Sequence, residues 1–218
     1  MTQILLVRHG QANSAARDEA DYDRLSPLGR EQARWLGAHL RDCGERFARA
    51  TSGTLRRQAE TLREMDVAET APEQDPRLNE LEYFTMAQAF EAEHGVPMPP
   101  DRPAFLRHLP AMFGAWSRGE IAGAPEPFEA FETRVAEALA DLARGRGPVV
   151  AVTSGGVIGM ALKVALRLDV AALSHLCLSI ENSSIHRLMV LPEGLALAQF
   201  NACPHLEPRG RRQSRTHL

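Results

Sequence analysis

Apolar positions recur along the chain with two different periods, and their alternation predicts strands and helices in turn. Residues 3–8 form a short run of branched apolar side chains, the pattern of a strand buried on both faces. Ser26-Pro27 then supplies an N-cap followed by proline at the first helical position. Behind it Leu28, Trp35, Leu36, Leu40 and Cys43 fall at helical spacing, with Gly44 just past the end. A second short strand around 47–52 leads through Gly53 into a helix near 54–65. Residues 72–103 are rich in proline and acidic side chains, and carry a predicted helix at 85–94; a further helix is predicted near 104–118. Regular patterning resumes with the stripe Phe128, Phe131, Val135, Leu139 and Leu142, closed by Gly145, Gly147 and Pro148. Val149–Val152 reads as a buried strand, and Thr153-Ser154-Gly155-Gly156 turns it into a helix from Val157. Ile185–Leu191 and Leu195–Phe200, joined by Pro192-Glu193-Gly194, read as a hairpin.

Strands alternating with helices predict an α/β fold of three layers, α/β/α, with a mostly parallel central sheet and helices on both faces. One domain is expected over residues 1–206, with a helical excursion at about 84–118. Residues 207–218, with Arg209, Arg211, Arg212 and Arg215 but no apolar period, read as a flexible basic tail. The formal charge of −3 gives no electrostatic reason to expect a nucleic-acid partner. Cys43, Cys177 and Cys203 are widely spaced and form no C-x-x-C pair, so neither a disulfide framework nor a zinc site is indicated. The opening run Gln3–Val7 lacks the basic and extended apolar regions of a secretory signal, and no stretch has the length of a membrane helix. A cytoplasmic protein without a membrane partner is expected.

Ligands of open α/β sheets bind where strands end and helices begin. Three such turns stand out: Arg8-His9-Gly10, Ser52-Gly53-Thr54-Leu55-Arg56-Arg57 and Thr153-Ser154-Gly155-Gly156. Guanidinium forks match phosphate oxygens in pairs, glycines let backbone N–H groups approach an anion, and helix starts add partial positive charge. The three turns at one sheet edge would form an anion pocket. Gly155-Gly156-x-x-Gly159 lacks the G-x-G-x-x-G spacing of a dinucleotide loop.

The longer strings around these turns resemble the histidine phosphatase superfamily, which includes the cofactor-dependent phosphoglycerate mutases. The similarity is carried by Leu5-Leu6-Val7-Arg8-His9-Gly10-Gln11, Leu25–Ala33, Leu55-Arg56-Arg57-Gln58-Ala59-Glu60-Thr61, Leu78-Asn79-Glu80, and Asn201 with His205-Leu206, in family order. The resemblance implies a phosphoglycerate mutase-like fold and catalysis by His9, which attacks phosphorus to form a phosphohistidine that water hydrolyses. It implies Arg8 and Arg57 as phosphate ligands and Glu80 as the acid that protonates the leaving oxygen. The flanking leucine and threonine favour Arg57 over Arg56, which stays as the alternative. No metal or cofactor is implied, and the expected partner is a small phosphorylated molecule or a phosphoprotein.

The sequence departs from the family pattern after the late strand, where a second histidine is usual and Ser154 stands here. A serine hydroxyl can still donate to phosphate, but it brings no charge. The expectation is a phosphomonoester hydrolase with reduced turnover. The alternatives are a catalytically weak or inactive phosphate-binding or regulatory protein and, ranked last, a phosphoglycerate mutase. His175, His186 and His205 are other histidines whose position relative to the pocket the spacing leaves open.

Overall fold

The computed structural model describes residues 2–69 and 71–217. Among these, six strands form one sheet: β1 (Gln3–Arg8), β2 (Arg49–Ser52), β3 (Glu73–Gln74), β4 (Val149–Thr153), β5 (Ile185–Leu191) and β6 (Gly194–Ala202). The order is β3-β2-β4-β1-β5-β6. The β1–β4, β2–β4 and β2–β3 pairs are parallel, whereas β5 runs antiparallel to both β1 and β6. The helices are α1 (Glu19–Tyr22), α2 (Pro27–Asp42), α3 (Arg56–Met65), α4 (Tyr83–His94), α5 (Arg102–Ser117), α6 (Phe128–Arg144), α7 (Gly155–Leu166) and α8 (Val170–Ser179).

Side chains alternate across a strand, so each central strand feeds two cores. Ile4 and Leu6 of β1, with Val149 and Ala151 of β4, pack into a cluster with Met86 of α4, Phe113 of α5, Phe131 of α6 and Ile158 of α7. Leu5, Val7, Val150 and Val152 face the other way, onto Leu36 and Leu40 of α2 and Leu62 and Met65 of α3. Helices therefore cover both faces, which is why β1 and β4 read as unbroken apolar runs.

Parallel register then decides where the turns meet. Arg8 stands opposite Thr153, and Ser52 opposite Val152, so the strand ends at residues 8, 52 and 153 share one edge of the sheet. The first turn is held tightly against α2. A Cβ on Gly10 would lie 2.3 Å from the Gly29 carbonyl oxygen, and one on Gly29 would lie 2.1 Å from that of Gln11. Only glycine at both positions allows this backbone approach.

The excursion helices are found at Tyr83–His94 and Arg102–Ser117, close to the expected spans. Three elements go beyond the pattern. α1 is four residues long and β3 two, too short for any period to register. α8 follows α7 after a left-handed Arg167, with Asp169 accepting from the Ala172 N–H as its N-cap; both helices are apolar almost all round, which hides the boundary. Where a frayed basic tail is expected, residues 211–217 lie against the body. Gln32 Nε2 donates to the Ser214 carbonyl at 2.7 Å, Arg215 pairs with Glu181 at 2.7 and 2.5 Å, and the Arg211 guanidinium lies 4.7 Å from the Trp35 ring centroid. No helix among the described residues is long and apolar enough to cross a membrane.

Candidate active site

At this sheet edge opens a cavity of about 880 Å³ whose wall includes Arg8, Arg57, Glu80, Gly155 and Gly156. His9 is 1% exposed and stands one hydrogen bond behind that wall. Its Nδ1 lies 2.7 Å from the Gly10 carbonyl oxygen, and Arg57 Nε lies 3.2 Å from its Nε2. A carbonyl oxygen can only accept, and the guanidinium N–H can only donate. The proton therefore resides on Nδ1, and Nε2 presents its lone pair toward Arg57 and the cavity. Burial, then the positive charges of Arg57 and Arg8, lower the pKa of His9 well below the usual histidine value. The ring is therefore neutral near pH 7.

Arg57 lies in the first turn of α3 and is fixed from three sides. Asp23 Oδ1 accepts from its backbone N–H at 3.1 Å and from its NH1 at 3.0 Å, while Asp23 Oδ2 accepts from the Arg56 N–H at 2.8 Å. Asp23 thus satisfies two free donors at the start of α3 and orients its key side chain. The Tyr22 ring packs over the guanidinium at 4.9 Å. The neighbouring Arg56 turns away: its Nε pairs with Glu60 at 2.8 Å, and its side chain is 64% exposed. Arg8 donates from NH1 to the Ile180 carbonyl at 2.6 Å, but its buried Nε has no partner among the described residues. Arg8 as a whole lines the cavity, and a guanidinium there is a group that an oxyanion pairs with well.

Glu80 reaches the same wall from the segment before α4. Its Oε2 accepts from the Gly156 N–H at 2.9 Å, in the first turn of α7, and its Oε1 accepts from the Leu81 N–H at 3.1 Å. A Cβ at Gly156 would lie 2.3 Å from Glu80 Oε1, so glycine there makes room for the carboxylate. Ser154 is buried at the N-cap of α7 and is not on the cavity wall; its Oγ accepts from Gln58 Nε2 at 2.8 Å.

The other histidines divide cleanly. His175 is exposed, whereas His186 and His205 are buried against the hydroxyls of Ser184 and Ser183. His217, which the spacing gave no reason to single out, is on the cavity wall. Asp23, Tyr22 and Gln58 also escape a reading of local strings, because their roles arise from contacts between distant segments. Outward from His9 runs a chain of aromatic edges, Tyr22, Phe84, Tyr83 and Phe105, with successive ring centroids 6.3, 6.1, 5.8 and 5.6 Å apart. Among the described residues no group of three or more His, Cys, Asp or Glu side chains is placed to hold a metal ion.

The fold recurs in solved structures. A mutant of phosphoserine phosphatase from Entamoeba histolytica, in complex with phosphoserine, superposes with a TM-score of 0.70 at 18% identity, covering 94% of this chain and all of the other. Phosphoglycerate mutase from Bacillus anthracis gives a TM-score of 0.68 at 22% identity, covering 94% of each chain. A mycobacterial glucosyl-3-phosphoglycerate phosphatase gives 0.64 at 24% identity, over 92% of this chain and 98% of the other. Serine/threonine-protein phosphatase Pgam5, mitochondrial, of Drosophila willistoni is 30% identical over 102 residues, which are 46% of this chain and 31% of that protein. The stretch shared with this curated relative is thus under a third of the relative's length. Residues 4–203 match the family description of the histidine phosphatase superfamily (branch 1). With two guanidinium groups and a neutral imidazole gathered at its sheet edge, the chain belongs to the histidine phosphatase superfamily, whose members are phosphatases or mutases.

Proposed function

We propose that this chain is a metal-independent phosphomonoester hydrolase acting through a phosphohistidine on His9. The observation that carries the proposal is the imidazole tautomer: Nδ1–H is committed to the Gly10 carbonyl, so Nε2 faces Arg57 with its lone pair. A phosphate entering the cavity would take over the Arg57 Nε–H and pair with the Arg8 guanidinium, freeing Nε2 for in-line attack. The N–P bond forms as the ester P–O bond breaks, and the departing oxygen takes a proton from the Glu80 carboxyl. Water then attacks the phosphohistidine, Glu80 accepts the water proton, and inorganic phosphate leaves. Ser154 accepts from Gln58 and keeps its own O–H free to donate, but it is buried off the cavity wall, so it contributes to phosphate binding only if the pocket deepens around the ligand.

A cavity of about 880 Å³ has the size of small-molecule sites, and the aromatic edges leading out from His9 suit an apolar or ring-bearing alcohol. A small phosphorylated molecule of that kind fits better than a phosphoprotein. The second reading, a phosphate-binding protein of little turnover, rests on Ser154, which supplies no charge to the transition state. Phosphate release from para-nitrophenyl phosphate separates the two. Release that survives a chelator and is lost in His9→Ala is expected; release equal to the native rate in His9→Ala contradicts the hydrolase.

A further inference from the structure

Residues 214–216 are tied to the two segments that frame His9. Gln32 accepts from the Gln11 N–H through Oε1 at 2.8 Å and donates from Nε2 to the Ser214 carbonyl and, at 3.1 Å, to Thr216 Oγ1. The Asn182 N–H donates to the Thr216 carbonyl at 2.8 Å, Thr216 Oγ1 bonds Asn182 Oδ1 at 2.9 Å, and Arg215 grips Glu181 with two hydrogen bonds. The same loop returns to the nucleophile, since the Ser183 N–H donates to the His9 carbonyl at 3.2 Å. Three polar residues, Ser214 to Thr216, are thus held on both sides, and the next residue, His217, reaches the cavity wall that Leu178 and Arg102 also line.

Two features of His217 point to a ligand. Its Nδ1 is buried and without a partner among the described residues, so Nε2 is the nitrogen left to meet a ligand. It also stands in the fields of Arg102 and Arg8, both on the wall of this cavity, with Glu181 the one carboxylate acting on it and Arg215 beyond. Burial, then Arg102, lowers its pKa, so the ring is neutral near pH 7 and offers one donor and one acceptor.

We infer that His217 is a substrate-contacting residue: residues 214–216 clip onto the loops around His9 and hold its imidazole where it hydrogen-bonds the phosphate ester at the Arg8 end of the cavity. This rests on the phosphatase reading of the cavity. It supplies from the far end of the chain an imidazole that the turn after β4, with Ser154, lacks.

The test uses inorganic phosphate as the probe, with its Kd measured by calorimetry on the full chain and para-nitrophenyl phosphate for KM and kcat. His217→Phe, which keeps the ring and loses both nitrogens, is expected to weaken phosphate about tenfold and raise KM by a similar factor. His217→Asn, which keeps an amide donor, should recover part of the loss, and Arg215→Gln, which loosens the clip, should weaken phosphate in the same direction. Thermal unfolding of the His217 variants should match the native chain. Phosphate affinity within twofold of native in both His217→Phe and Arg215→Gln overturns the inference. Because affinity is read without turnover, this outcome is distinct from failure of the phosphatase reading, which His9→Ala reports.

Discussion

At the scale of single residues, the site depends on a neutral imidazole and a guanidinium that cannot be swapped for another cation. Arg57 uses Nε on His9, NH1 on Asp23 and its flat face on Tyr22. Lysine presents a single point charge and can reproduce at most one of these contacts. Arg57→Lys is expected to lower kcat on the order of a hundredfold with little change in unfolding temperature; steady-state kinetics within threefold of native would place Arg57 outside the reaction. Much of this scale was legible beforehand. Arg8, His9 and Arg57 sit in short contiguous strings at strand ends, and a single turn of chain suffices to present them. Asp23, Gln58 and His217 were not legible, because each matters through a partner at least 34 positions away in sequence or through a surface that exists only after folding.

At the scale of elements, the loop Glu181–Ser184 between α8 and β5 is braced by side chains that the resemblance pointed to without explaining. Asn201 Oδ1 accepts from the Glu181 N–H, and Asn201 Nδ2 donates to the Ser179 carbonyl. His186 meets Ser184 through Nε2 at 3.0 Å and accepts from the Asn201 N–H through Nδ1 at 3.3 Å, while His205 meets Ser183 at 2.8 Å. Burial, with neighbouring positive charge, drives the pKa of both rings down to about 3. In the unfolded chain the same rings take up a proton near pH 6.5. The unfolded state therefore binds more protons below that pH, and native stability falls by about 1.4 kcal/mol per pH unit for each ring until pH about 3. His9, lowered by burial and two arginines, acts in the same sense. Carboxylates with lowered pKa, such as Glu60 and Asp75, release their stabilisation only below their usual range, so the histidines govern the interval from about 6.5 to 4.5. Urea unfolding at pH 7 and pH 5 should show a loss of several kcal/mol; equal stability at the two values would contradict the neutral buried rings. Periodicity revealed α2, α3, α6, β1 and β4 because each carries a stripe or run long enough to repeat. It could not separate α7 from α8, where apolar residues on every side leave only Arg167-Leu168-Asp169 to mark the break.

At the scale of the whole molecule, two cores on opposite faces of one sheet fix three turns at one edge, and the excursion helices and His217 line the cavity beside them. The sheet and its flanking layers follow from patterning, since alternating side chains of β1 and β4 must be covered twice. The docking of the basic tail does not: the arginines look solvated in the sequence, and only folding brings Trp35 beneath Arg211, Glu181 beneath Arg215, and Gln32 and Asn182 against Ser214 and Thr216. The proposed reaction turns on a covalent bond between phosphorus and His9 Nε2. Rapid acid-free quenching during turnover, followed by peptide mass spectrometry, tests it most directly. A phosphoryl group on the peptide containing His9, lost on brief acid treatment and never formed in His9→Ala, is the predicted result. Product release at the native rate with no phosphoryl group on that peptide would contradict it.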